Sequence, residues 1–119
     1  KRRAKENGIS VKISAKASGS LAVPPQDLVV VIANLFENAI NEVANLKSKE
    51  GYIDIQIKDS PERLLIKIDN PCRANLTFDE NLYGIGIRSV ISTTSKYEGM
   101  YDFTAEDGVF SAKIILNLK

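Results

Sequence analysis

Four asparagines recur at steps of three and four residues in one segment of the chain, at Asn34, Asn38, Asn41 and Asn45. Residues at these spacings share one face of an α-helix, so the four amides would form a column. Asparagine is a mediocre helix former, and a solvated helix face normally uses Lys, Glu, Gln or Arg. Amide oxygens suit a hard cation such as Mg²⁺, which binds proteins through few ligands together with substrate phosphates. The column therefore predicts a magnesium and phosphate site, with a plain polar surface as the alternative.

A glycine turn, Gly84-Ile85-Gly86, is the second candidate site, and Arg88 follows it closely. Glycines let the backbone approach a ligand, and the N-terminus of the helix predicted to begin here offers unpaired N–H groups and a positive dipole. These features favour a polyphosphate, to which Arg88 could add a charge-assisted contact. A lone G-x-G is a weak signal, because many helices begin after glycine. Its pairing with the asparagine column is more informative than either motif alone.

Hydrophobic periodicity predicts the elements that position these groups. Apolar residues at helical spacing predict helices over residues 26–46 and 84–96. Alternating apolar and polar residues predict five strands, at residues 9–17, 52–58, 63–70, 99–104 and 109–118. The second and third strands form one hairpin, and the last two form another. We expect an α+β two-layer sandwich, in which a mixed and mostly antiparallel sheet carries both helices on one face.

The segment between the third strand and the second helix, residues 71–83, has no clean period. Thirteen residues are more than most connections in a compact domain contain. Loops of this length tend to be lids over a site or disordered segments.

Composition limits the chemistry. The 119 residues make one domain, at 44% hydrophobic and 26% charged residues, and the net charge of +1 gives no sign of a nucleic-acid partner. The single cysteine, Cys72, excludes an intramolecular disulfide and fits a reducing compartment. The chain contains no histidine, which excludes a His metal site and a Ser–His or Cys–His nucleophile pair within it. It has no apolar run long enough to span a membrane, and because it begins at Lys1 we expect it to be a piece of a longer protein.

Together these motifs resemble the GHKL superfamily of ATP-binding domains, over nearly the whole chain. The segment Asn34-Leu35-Phe36-Glu37-Asn38-Ala39 is similar to the N box of that family. The segment Ile68-Asp69-Asn70-Pro71-Cys72 falls where the first glycine box follows a strand, and Tyr83-Gly84-Ile85-Gly86-Ile87-Arg88-Ser89-Val90 is similar to the second glycine box. Within the superfamily the chain looks most like the catalytic domain of sensor histidine kinases, in the branch that serves peptide quorum-sensing receptors.

The resemblance implies two cofactors, ATP and Mg²⁺. Asn38 would coordinate the Mg²⁺ that bridges the ATP phosphates, and Asn34 would make a second contact to that ion or to its waters. Asn70 falls where the family usually has an aspartate that accepts a hydrogen bond from the adenine amino group. The strand alternation points Asn70 inward and Asp69 to the opposite face. The amide of Asn70 can still accept this bond through its oxygen.

The phosphates would be held at the second glycine box, and residues 71–83 would form the ATP lid. The residues that the resemblance places around the phosphates are Gly84, Ile85, Gly86 and Arg88. Asn41 stands where many histidine kinases have a Lys or Arg that meets a phosphate. Two further departures are Pro71, where glycine is expected, and Leu82, which replaces the leading glycine of the second box.

One position discriminates within the superfamily. The hydrolytic members place a glutamate four residues before the Mg²⁺ asparagine, as the general base for water. Here that position is Asn34, which has no useful basicity, and Glu37 is turned away from it on the helix. The resemblance therefore implies phosphoryl transfer by positioning and charge stabilisation, not efficient hydrolysis.

The function that we expect is the ATP-binding catalytic domain of a two-component sensor histidine kinase, as a cytoplasmic domain of a bacterial membrane protein. It would pass the γ-phosphoryl group to a histidine on upstream dimerisation helices of the same protein, outside this chain, and its further partner would be a response regulator. Two alternatives stay open. One is a degenerate GHKL-fold interaction module without nucleotide, and the other is an anti-sigma-type serine kinase.

Overall fold

The computed structural model of the protein describes residues 9–16, 24–45, 51–72 and 85–118. Along the chain the helices and strands are β1 (Ser10–Lys16), α1 (Pro25–Asn45), β2 (Tyr52–Asp59), β3 (Arg63–Pro71), α2 (Ile85–Lys96), β4 (Met100–Glu106) and β5 (Val109–Asn117). Both predicted helices and all five predicted strands are present, with ends that differ by one or two residues from the predicted ones where the structure describes them.

Helix α1 forms because its apolar residues repeat at four-residue steps. Val31, Leu35, Ala39 and Val43 are at most 3% exposed and form the buried stripe, whereas Val29, which we expected on the apolar face, is 63% exposed. The helix begins at Pro25, whose fixed φ and missing N–H suit a first helical position.

The five strands form one sheet in the order β1-β2-β3-β5-β4. Strand β1 runs parallel to β2, and the other three pairings are antiparallel. In the central strand β3, Leu64, Ile66, Ile68 and Asn70 are at most 1% exposed, whereas the residues between them are partly exposed. The buried positions face the helices, and this confirms the predicted α+β sandwich with a mixed, mostly antiparallel sheet.

The turn between β4 and β5 is made by Asp107 and Gly108, both at positive φ, 53° and 77°. Two consecutive residues in this region make the turn whose twist suits a two-residue hairpin. The backbone N–H of Cys72 donates to the carbonyl of Gly108 at 2.8 Å. This bond fixes the chain just beyond β3 against the β4–β5 turn, and Cys72 itself is buried.

Gly99 joins α2 to the sheet at a position that only glycine fits. A Cβ atom at Gly99 would lie 2.0 Å from the carbonyl oxygen of Ile115, which no side chain can tolerate. The N–H of Gly99 closes the helix end by donating to the carbonyl of Thr94 at 2.9 Å. The C-terminal end of α2 is therefore held directly against β5.

Among the described residues, none of the helices has both the length and the apolar character needed to cross a bilayer.

Candidate functional site

The asparagine helix and the glycine helix meet at Asn34 and Gly86. A Cβ atom added at Gly86 would lie 3.0 Å from Oδ1 of Asn34, so the missing side chain is what allows the helices to approach this closely. The Nδ2 group of Asn34 donates to the carbonyl of Val30 at 2.7 Å, which holds the amide in this orientation. The two motifs that the sequence singled out therefore lie side by side.

The rest of the asparagine column continues from this contact towards the C-terminal end of α1. Asn38 is one turn beyond Asn34 on the same face and is half-buried, and Asn41 is exposed. The side chain of Asn45 lies outside the described residues. Asn38 is thus the amide that lies one turn from the glycine helix and stays partly accessible.

Asn70 is a buried amide with an unused acceptor. Its residue is 0% exposed, and its Nδ2 group donates to the carbonyl of Pro71 at 3.0 Å. The side-chain oxygen Oδ1 is buried without a hydrogen-bond partner among the described residues. An unpaired buried acceptor costs about 1–3 kcal/mol. A bound molecule that donates an N–H to it would recover that free energy.

The predicted register of β3 is confirmed at this point. Asp69 lies on the opposite face of the sheet, where its carboxylate accepts a hydrogen bond from the hydroxyl of Ser111 and lies 3.6 Å from Nζ of Lys67. Only Asn70 of this pair faces the helix layer, as the alternation of the strand requires.

The glycine box is described only in part. Gly84 and most of the predicted lid, residues 73–83, lie outside the described residues, and so does the side chain of Ile85. Arg88 is exposed, and at two positions beyond Gly86 it projects about 200° around α2 from the side that meets Asn34. Its predicted contact with phosphate stays a prediction, as do the roles of Gly84 and Ile85.

A further cluster, which the sequence did not predict, joins the N-terminal end of α1 to the C-terminal end of α2. Asp27 in the first turn of α1 is 9% exposed. Its Oδ2 atom accepts from Nζ of Lys96 at 3.0 Å and from the hydroxyl of Tyr97. The sequence carries no signal of this contact, because Asp27 lies about 70 positions from its two partners along the chain. We call Asp27, Lys96 and Tyr97 the distal clamp.

The distal clamp shifts the pKa of two of its members. The hydrogen bonds from Tyr97 and then Lys96 lower the pKa of Asp27 below its usual 3.8. Desolvation, and then the hydrogen bond to Asp27, raise the pKa of Tyr97 from 10.0 to about 12. The folded protein therefore favours an ionised Asp27 and a neutral Tyr97, the pair in which the hydroxyl donates to the carboxylate.

These shifts predict a specific alkaline destabilisation. Above pH 10 the unfolded chain releases the Tyr97 proton while the folded chain keeps it up to about pH 12, so this contribution to stability is lost as pH rises through that window. In Tyr97→Phe the free energy of unfolding should be lower near neutral pH and should fall less between pH 10 and 12. Urea unfolding at a series of pH values measures both. Parallel profiles for the two proteins would contradict the prediction.

Comparison with known proteins identifies the family. Residues 23–117 match the GHKL domain family, and the chain belongs to that family. A Bacillus subtilis (strain 168) protein named "Probable C4-dicarboxylate sensor kinase" is 35% identical over 104 residues, which are 84% of this chain and 19% of the relative. The chain thus spans about a fifth of the length of that curated relative.

Solved structures of histidine kinases share the fold. The Acinetobacter baumannii histidine kinase AdeS superposes with a TM-score of 0.79 at 14% identity, over 99% of this chain and 58% of that one. The catalytic domain of histidine kinase ThkA superposes with a TM-score of 0.75 at 13% identity, over 98% of this chain and 84% of that one. The predicted superfamily and fold are confirmed, and the quorum-sensing branch stays a prediction.

Proposed function

We propose that this chain is the ATP-binding catalytic domain of a two-component sensor histidine kinase. It would bind Mg·ATP and present the γ-phosphoryl group to a histidine on an upstream dimerisation segment of the same protein. The chain itself contains no histidine, so the acceptor of such a reaction must come from another segment or chain. Membership of the GHKL family and the similarity to a sensor kinase support this proposal.

The observation that carries the proposal is the contact between Asn34 and Gly86. It places the N-box face of α1 beside the start of α2, where Oδ1 of Asn34 would lie 3.0 Å from a Cβ atom at Gly86. Amide oxygens on one helix and free N–H groups at the start of the other are complementary to the two halves of a metal–phosphate complex.

The residues present fit ATP at both ends of the molecule. The buried acceptor Oδ1 of Asn70 suits the exocyclic amino group of adenine, and the unpaired N–H groups at the N-terminus of α2 suit the phosphates. Asn38 would hold Mg²⁺, which supplies charge neutralisation across the phosphates when it is bound. Asn34 is already engaged with Val30 and Gly86, so its supported role is to space the helices, and its contact with the ion stays a prediction.

Asn34 favours phosphoryl transfer to a histidine over hydrolysis of ATP. Its amide cannot take a proton from water at neutral pH, and its Nδ2 group is already committed to the carbonyl of Val30. The chain's own contribution would then be to bind and orient the nucleotide and to leave the γ-phosphate exposed to the acceptor histidine. Partners that follow from this proposal are the upstream dimerisation helices, a response regulator and a membrane-anchored parent protein.

The departure at Pro71 is accommodated in the structure. Pro71 closes β3 in register with Val109, and its carbonyl accepts the amide of Asn70. This departure therefore leaves the strand intact and gives Asn70 a fixed orientation, which supports nucleotide binding over a degenerate interaction module.

A nucleotide titration tests the proposal. We expect the chain to bind ATP saturably, and more tightly with Mg²⁺ than without it. Its melting temperature should also rise, because a ligand that binds only the native state stabilises that state by about 2.7 kcal/mol at a ligand concentration one hundred times the dissociation constant. Calorimetric titration with and without Mg²⁺ measures this. No binding at millimolar Mg·ATP, with an unchanged melting temperature, would overturn the proposal in favour of the degenerate module.

A further inference from the structure

Asp27 is a nearly buried carboxylate whose partners come from the other helix. Its Oδ2 atom receives Nζ of Lys96, the last residue of α2, and the hydroxyl of Tyr97, the next residue along the chain. The Lys96 ammonium also lies 5.8 Å from the centre of the Tyr97 ring. Charge-assisted hydrogen bonds to a carboxylate are about twice as strong as neutral ones. The first turn of α1 is therefore tied to the last turn of α2.

Among the described residues, the distal clamp and the contact of Asn34 with Gly86 both join the two helices. Along α1 the two contacts are seven residues apart, about 10 Å, and along α2 they are ten residues apart, about 15 Å. The early residue of one helix meets the late residue of the other in both cases, so the helices run antiparallel. Two separated contacts fix both the spacing and the tilt of a helix pair.

The clamped end of α2 is also anchored to the sheet. The N–H of Gly99 donates to the carbonyl of Thr94 at 2.9 Å, and Nδ2 of Asn117 donates to the carbonyl of Glu98 at 2.6 Å. A Cβ atom at Gly99 would overlap the backbone of Ile115. The sheet therefore holds this end of α2 in place, and the distal clamp holds the first turn of α1 in place against α2.

We propose that Asp27 and Tyr97 are positioning residues for the phosphate end of the nucleotide. This inference rests on the proposed function, in which Asn38 of α1 and the N-terminus of α2 meet the phosphates from opposite sides. Because the sheet holds α2 in place, loss of the clamp frees α1 to tilt about the Asn34–Gly86 contact, and this displaces Asn38, one turn beyond that contact, relative to the N-terminus of α2. The base contact at Asn70 lies on β3, outside both helices, and is unaffected.

The test compares two ligands in the same variants. Asp27→Asn removes the charge and keeps the shape, and Tyr97→Phe removes a single oxygen. NMR titration of the whole chain gives dissociation constants for Mg·AMP-PNP, which engages both ends of the site, and for adenosine, which engages only the base contact. We expect each variant to bind Mg·AMP-PNP at least about fivefold more weakly and to bind adenosine as the unaltered chain does.

A matched control is Asn117→Ala, which removes a hydrogen bond at the same end of α2 without touching α1. It should leave the ratio of the two dissociation constants unchanged. An unchanged ratio in both clamp variants, or an equal loss of both ligands, would overturn the positioning role. Failure of the unaltered chain to bind Mg·AMP-PNP would instead overturn the proposed function, and the positioning role with it.

Discussion

The Asn38→Ala variant should bind ATP equally well with and without Mg²⁺. In the unaltered chain the amide oxygen of Asn38 would be the protein ligand of the ion, half-buried and one turn from the Asn34–Gly86 contact. Mg²⁺ reaches proteins through one or two ligands, so the loss of this one removes most of what the protein offers the ion. We expect Mg·ATP affinity to fall by at least about tenfold, since even indirect metal partners contribute that much. Calorimetric titration across a range of Mg²⁺ concentrations measures the effect.

The fold should survive this change. Alanine is a better helix former than asparagine, so α1 loses no intrinsic stability. Asn117→Ala serves as the matched control, because it removes an asparagine from the end of the sheet opposite Asn70, and its Mg²⁺ dependence should remain intact. If Asn38→Ala kept the full enhancement by Mg²⁺, the ion would have to be held elsewhere and the N-box assignment would be wrong.

Replacement of the adenine amino group by a carbonyl should be poorly tolerated because of Asn70. The atom 3.0 Å from the carbonyl of Pro71 must be the amide nitrogen, since two oxygens would repel there, and this leaves Oδ1 as an acceptor. The 6-amino group of adenine donates to it, whereas the 6-oxo group of hypoxanthine cannot. We expect Mg·ITP to bind at least about tenfold more weakly than Mg·ATP, in line with about 1–3 kcal/mol for an unpaired buried acceptor.

Two substitutions at residue 70 test the role of the hydrogen-bond acceptor, because one keeps an acceptor oxygen and the other removes it. Asn70→Asp loses the hydrogen bond to the carbonyl of Pro71 and with it some stability, but it keeps an acceptor and should keep the preference for ATP. Asn70→Ala should weaken ATP binding and abolish the difference between ATP and ITP. Competition titrations of both nucleotides give the ratio directly. Equal affinities of the unaltered chain for ATP and ITP would place the base elsewhere.

Much of the secondary structure could be predicted from the sequence, because it depends on the local periodicity of apolar residues. The four-residue repeat of Leu35, Ala39 and Val43 indicates which face of α1 is buried. The two-residue alternation of β3 fixes that Asn70 points into the helix layer. Both patterns express the hydrophobic effect on a regular backbone, so no knowledge of distant residues is needed.

The arrangement of the helices and strands relative to one another could be predicted less well from the sequence. Strand β1 is an edge strand that runs parallel to β2. This pairing joins strands that are separated by a long connection, and the sequences of the two strands do not indicate it. Cys72 belongs to the segment 71–83 that we expected to be a loop, yet it is buried and its backbone N–H donates a hydrogen bond to the carbonyl of Gly108. Its packing is set by the β4–β5 turn, which lies more than thirty residues further along the chain.

The sequence by itself determined the candidate groups of the site: a column of amides, a glycine turn and an inward-facing Asn70. Their types and spacing are local properties, and the resemblance to the GHKL superfamily followed from them. Only the tertiary structure decided that Asn34 spaces the helices at Gly86, that Oδ1 of Asn70 is left unpaired, and that Asp27 is tied to Lys96 and Tyr97. These depend on side chains brought together from 52 to 70 positions apart, or on a polar atom buried by other elements, and such contacts arise from packing of the whole chain.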